Sequence, residues 1–117
     1  MKRKPDDDAR LRHILDAIAE VENYVAGMDQ FGFEGDSKTR FASIKQLEII
    51  GEAANALTSS LRDAYPEVAW RPIITLRHIL VHAYYEIQAD VLWRIIQVHV
   101  PPFKVQIEQM LADMERE

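Results

Sequence analysis

Leu11, Ile14, Ile18, Val21 and Val25 follow one another at alternating steps of three and four. At about 100° per residue such a stripe covers one side of an α-helix, whereas strand side chains change face at every residue. The same spacing returns in Phe41, Ile44, Leu47, Gly51, Ala54, Leu57 and Leu61. Here Ile49, Ile50, Ala53 and Ala56 widen the apolar arc beyond what one packing face needs. This second helix is therefore expected to be central, or shared with a partner. In "IIGEAANAL" the small side chains of Gly51, Ala53, Ala54 and Ala56 would let another helix approach closely. No strand-like alternation long enough to compete is present, nor any internal repeat.

The punctuation between helices agrees with this reading. Asp6, Asp7 and Asp8 suit the start of the first helix and Gly27 its end. "GMDQFGFEGDSKTR" reads as a loop from Gly27 to about Asp36, with Asp36 or Ser37 capping the long helix. "YPEVAWRP" breaks the helical pattern, and Pro72 suits the first turn of a third helix running to about Tyr84. Asp90 reads as the cap of a fourth, "VLWRIIQVHV", which Pro101 and Pro102 should interrupt before a fifth, "FKVQIEQMLADM". The expectation is an all-α, up-and-down bundle of about five helices, one domain over residues 1–117, with the first few residues and the terminal "MERE" frayed.

A chain of 117 residues, 48% hydrophobic and 28% charged, is long enough to bury one core. The absence of cysteine excludes disulfides, thiolate metal sites and cysteine nucleophiles. "MKRKPDDDAR" has no apolar run behind its positive charge, and no window reaches about 18 uninterrupted apolar residues, so a cytoplasmic protein without a membrane partner is expected. The net charge of -5 gives no general attraction to a polyanion, so any RNA binding must be local. One segment could supply it: Trp70 to Tyr85 carries Arg71, Arg77, His78 and His82 and no carboxylate.

"RHILVHAYYE" concentrates this chemistry. On a regular helix Arg77 and Tyr84 share a face, while Arg77 and His82 lie about 140° apart. Bringing the latter together requires the helix to loosen near His82, or a second copy to cross it in a two-fold dimer. His78 and His82 are spaced i, i+4, as in helical zinc sites, and Glu86 would extend the line if the helix persisted. The glutamate of H-E-x-x-H is missing and only His13 and His99 remain as distant donors, so no metal is expected. Glu48 and Glu52 also share a face, where a solvated surface beside Lys45 is the simpler reading than a carboxylate pair.

Histidine and tyrosine can be plain core residues with one hydrogen bond each. Burying a guanidinium, two imidazoles and two phenols together nevertheless costs stability unless every group is partnered, which points to function. Phosphodiester cleavage in RNA suits the set. The substrate's 2′-hydroxyl is the nucleophile, histidine can move protons near neutrality, and arginine can hold phosphate oxygens and stabilise charge on phosphorus.

The order of "ILDAIAEVENYV", "LEIIGEAANAL", "YPEVAWRPI" and "RHILVHAYYEIQADVLWRII" resembles the HEPN-domain, HepT-like ribonuclease toxins of toxin–antitoxin pairs, over nearly the whole chain. The family's R-x4-H-x-Y signature falls on Arg77, His82 and Tyr84. The resemblance implies a HEPN-like bundle that dimerises through its helices and a type VII system. It implies a metal-independent endoribonuclease, without cofactor, whose composite site lies between two protomers and acts on RNA such as tRNA or mRNA. Arg77 would bind phosphate and His82 would transfer protons. An MNT-type nucleotidyltransferase antitoxin would transfer AMP to Tyr84, with Tyr85 a packing neighbour. The chain departs at His78, where the family commonly has asparagine; this imidazole is a possible auxiliary group. Two other readings stay open: a non-catalytic subunit presenting nucleotide or substrate to a nucleotidyltransferase, and a structural dimer whose polar cluster sets helix register.

Overall fold

The computed structural model describes residues 5–116, and every regular element within them is helical. Residues 1–4 and Glu117, where part of the expected terminal fraying falls, lie outside the described residues.

Helix α1 spans Pro5–Val25 and buries Leu11, Ile14, Ile18, Val21 and Val25, the stripe read from the spacing. It ends where expected, because Gly27 takes a positive φ of 77° that side-chain-bearing residues rarely adopt. The acidic run does more than face the helix start. Asp8 pairs with Arg12 at 2.9 Å, while Asp7 is buried and accepts hydrogen bonds from the Thr58 amide and hydroxyl at 3.0 and 2.7 Å.

The expected loop after Gly27 contains a short helix, α2 (Gln30–Glu34), capped by Asp29, whose carboxylate accepts from the Gly32 amide. Phe33 is its buried anchor, and its ring meets that of Trp93 with centroids 5.1 Å apart. A single apolar side chain sufficed to fold this segment back, which is too short a signal for periodicity. Helix α3 (Ser37–Ala56) starts as expected at the Asp36 cap. The Thr39 amide and hydroxyl both donate to this carboxylate, amide first in effect, and hold its pKa below the ordinary value.

The long helix does not reach Leu61. It stops at Ala56, Leu57 turns extended, and Thr58 caps a separate helix, α4 (Ser59–Ala64). Thr58 is held there by Asp7 from α1, a contact between residues far apart in sequence. Leu57 and Leu61 are nonetheless both buried, so the periodic pattern survived a break that it could not reveal.

Helix α5 (Trp70–Ala83) begins slightly before Pro72, which occupies its first turn. The Trp70 indole N–H donates to the carbonyls of Arg62 and Tyr65, tying its start to the end of α4. A 3₁₀ turn, Tyr84–Glu86, follows. The last long segment comprises α6 (Ala89–Arg94) and α7 (Val100–Glu115), joined by one π turn, Ile95–His99. Gln88 stands at the N-cap position of α6 without a side-chain capping bond, and Asp90 lies within the first turn rather than at the cap. Pro101 and Pro102 therefore do not separate two helices. Proline conflicts with the carbonyl four residues back, and a π turn displaces that carbonyl, so the chain stays helical through the pair.

The resulting architecture is an all-α bundle. Helix α3 packs against α1 on one side and α5 on the other, and α7 closes over the other side of α1. Ile107, Met110 and Met114 of α7 are buried, the last inside the segment expected to fray. The Tyr65 hydroxyl donates to Asp113 at 2.6 Å and Gln109 adds a second bond, which together lower the Asp113 pKa. No helix among the described residues is long and apolar enough to cross a membrane.

Candidate functional site

Helices α3 and α5 run antiparallel. Phe41 meets Tyr84 at one end, with ring centroids 6.1 Å apart, and Gly51 faces Ile73 and Arg77 further along. The approach at Gly51 is close. A Cβ placed there would lie 3.0 Å from the Arg77 Cγ, 3.1 Å from the Ile73 carbonyl oxygen and closer still to the Arg77 Cβ. The small residues of "IIGEAANAL" thus admit a neighbouring helix as expected, and what rests on Gly51 is the stem of the motif arginine. Glycine is needed here for space, since its φ is not positive.

Arg77 is half-buried, and its Nε is buried without a hydrogen-bond partner among the described residues. An unpartnered guanidinium nitrogen held away from water is costly, and it marks Arg77 among the side chains of α5. His82 is exposed, and its ring lies beside that of His78, with centroids 4.5 Å apart. The i, i+4 histidines therefore do meet. Glu86 does not extend their line, because α5 stops at Ala83 and Glu86 belongs to the 3₁₀ turn. Among the described residues no three His, Asp or Glu side chains are grouped where they could hold a metal ion.

The helix loosens where convergence of the motif would need it. Ala83, between His82 and Tyr84, has φ -144° and ψ 35°, outside helical values. Tyr84 is consequently set on the 3₁₀ turn, 48% exposed, edge-on to Phe41 and Tyr85. Even so, no hydrogen bond, ion pair or ring contact joins Arg77 to His82 or Tyr84 among the described residues. One chain brings His78 to His82 and Tyr84 to Tyr85, and sets Arg77 apart over Gly51. Phe41, Ile79, Val81, Tyr85 and Val91 are exposed large hydrophobics on the neighbouring elements, as Phe31, Val98 and Val105 are elsewhere. Glu48 lies 3.7 Å from Lys45 but is partly buried, so only Glu52 of the two carboxylates is on a solvated face.

Sequence reasoning missed the cleft at the other end of the pair, where α4 meets α5. It has a volume of about 680 Å³ and is lined by Asn55, Ser59, Arg62, Asp63, Arg71 and Thr75, among others. The signal was present in "LTSS": threonine can cap a new helix, and Thr58 accepts from the Leu61 amide at the start of α4.

Residues 14–110 match the family model described as Ribonuclease HepT-like. A protein of Methanocaldococcus jannaschii provisionally named an RNase is 35% identical over 105 residues, covering 90% of this chain and 96% of its own. One of Thermococcus cleftensis, provisionally named ribonuclease HepT, is 34% identical over 110 residues, or 94% and 98% of the two chains. A third, of Caldanaerobacter subterraneus subsp. tengcongensis and provisionally named an RNase, is 30% identical over 101 residues, or 86% and 90%. No solved structure matches the chain.

Proposed function

The chain belongs to the ribonuclease HepT-like family, and from that premise we propose that it is the toxin of a type VII toxin–antitoxin pair, an endoribonuclease working as a homodimer. The observation that carries this reading is Arg77, a half-buried guanidinium with an unpartnered Nε on a helix that leaves large hydrophobics exposed. Its Nε is sealed from solvent, so the terminal nitrogens of the fork would hold a phosphate oxygen, and a second copy of the chain would cover Ile79, Val81 and Tyr85.

In the reaction, one imidazole takes the proton of the 2′-hydroxyl as its oxygen attacks the adjacent phosphorus. A second returns a proton to the departing 5′-oxygen, leaving a 2′,3′-cyclic phosphate and a 5′-hydroxyl. His82 of each protomer supplies one of these groups, which is why a single α5 with Arg77 and His82 about 140° apart is insufficient. Arg77 neutralises the charge that builds on the phosphoryl oxygens. This route needs no metal, and His78 lies in ring contact with His82.

Regulation fits the placement of Tyr84. Its hydroxyl, on a turn and half exposed, attacks the α-phosphorus of ATP held by an MNT-type nucleotidyltransferase antitoxin. An O–P bond forms, pyrophosphate leaves and the phenolic proton is released. The AMP group adds bulk and negative charge beside Arg77 and competes with the RNA phosphate.

Cleavage of a labelled tRNA mixture with and without EDTA, beside His82→Ala made identically, tests the reading. EDTA-resistant cutting that disappears in the variant is expected. A folded dimer of unmodified mass that never cuts RNA would overturn it and leave the non-catalytic partner subunit in its place.

A further inference from the structure

The cleft between α4 and α5 is not explained by the chemistry above. Its position is built: the Arg62 carbonyl accepts the Trp70 indole N–H at 3.2 Å, and the same N–H reaches the Tyr65 carbonyl at 3.1 Å. The backbone carrying Arg62 is thereby clamped to the start of α5. Arg62 is partly buried, and its Nε is buried without a hydrogen-bond partner among the described residues, like that of Arg77. Arg71 is exposed at the same cleft, and neither arginine is paired with a carboxylate among the described residues. Asn55, Ser59 and Thr75 add an amide and two hydroxyls, against one carboxylate, Asp63. Such a donor set suits phosphate oxygens.

The cleft is also connected to the catalytic histidine. Arg71, Thr75, His78 and His82 are exposed and recur at i, i+4, i+7 and i+11, within about 60° of one another around α5. They form a polar stripe of roughly 16 Å from cleft to His82. The large hydrophobics exposed on α5, Ile79 and Val81, lie off this stripe, and none lines the cleft. A protein partner would be expected to seek these hydrophobics instead, and Trp70 is already committed to Phe103 and two carbonyls rather than free to stack a base.

We infer that this cleft is a second RNA-backbone site, in which Arg62 and Arg71 hold a phosphate a few nucleotides from the scissile bond and the Arg71–His82 stripe guides the strand to the catalytic group. The inference rests on the ribonuclease reading, and it also answers how a chain of net charge -5 holds a polyanion: through a local track free of carboxylates along α5.

The experiment measures binding and cleavage separately. Binding of a short fluorescent single-stranded RNA is followed by anisotropy in the His82→Ala protein, with and without Arg71→Gln and Arg62→Gln. Each substitution should weaken binding about tenfold, and the pair should lower the salt slope by about 0.7, the contribution of the one neutralised phosphate on a single strand. In otherwise wild-type protein, KM should rise for an oligonucleotide by several-fold more than for a dinucleotide. Arg71→Gln alters an exposed side chain, so it remains informative if Arg62→Gln fails to fold. Unchanged RNA binding and KM in a protein that cuts RNA would overturn the cleft and leave the ribonuclease reading standing. Arginine-dependent binding by a protein that never cuts would do the reverse. Variants that bind RNA normally but lose a protein partner would likewise overturn it.

Discussion

Helices α1 and α5 pack on opposite sides of α3 and differ in what they leave undone. Along α1, Leu11, Ile14, Ile18 and Val21 are fully buried, and the nearest polar groups are paired, Asp7 with Thr58 and Asp8 with Arg12. Along α5 only Leu80 is buried, Ile79 and Val81 face solvent, and Arg77 keeps an unpartnered nitrogen. One helix finishes the core and the other stops short of it. A bundle this small gains from every face it buries, so the exposed side of α5 is where the proposed RNA and second protomer are to be tested.

The sharpest test of this contrast is functional. His82→Ala should lower RNA cleavage by about 10²–10⁴-fold with an unchanged melting temperature, as read by initial rates and thermal melts. Equal activity would place α5 with α1 as mere scaffold. On the other helix, Ile18→Ala should cost about 2–5 kcal/mol in urea unfolding, because it opens a cavity in a sealed region. Its cleavage rate should hold wherever the variant remains folded.

Gly51→Ala links the two sides. The added methyl meets the Arg77 stem and the Ile73 carbonyl, so α5 must shift from α3 at a cost of about 1–3 kcal/mol. The decisive readout is kcat, which should fall at temperatures where the fold is intact; a purely structural glycine would change stability alone. Val81→Asp, at an exposed position of α5, should shift sedimentation from dimer to monomer and lower the melting temperature only by the stability the second protomer adds.

The smallest effect is expected at Tyr65→Phe, which removes the hydroxyl that holds down the Asp113 pKa. A carboxylate whose folded pKa is lowered adds stability above its unfolded pKa and loses it as pH falls through the folded one. The difference between variant and parent should therefore be present near neutrality and vanish below the lowered Asp113 pKa. A difference that persisted into strong acid would assign the Tyr65 hydroxyl another role.

Much of this was legible in the residues. The stripes of α1 and α3, the Gly27 stop and the Asp36 cap depend on neighbours within about a turn, which sequence spacing describes directly. Residue types that suit phosphate chemistry could be picked out in the same way, and the family signature singled out Arg77, His82 and Tyr84.

Other features depended on partners distant in sequence. The break before α4 follows from Asp7 reaching Thr58, the helix hidden after Gly27 from Phe33 meeting Trp93, and the helical passage through Pro101 and Pro102 from a π turn. The cleft with Arg62 lies where Trp70 ties the end of α4 to the start of α5. Periodicity thus determined which faces are apolar, since that requires only the pitch of a helix. Where helices stop, what lies against Gly51 and which arginines go unpartnered were decided by packing, because a buried polar group is satisfied or left wanting by whatever the rest of the chain brings to it.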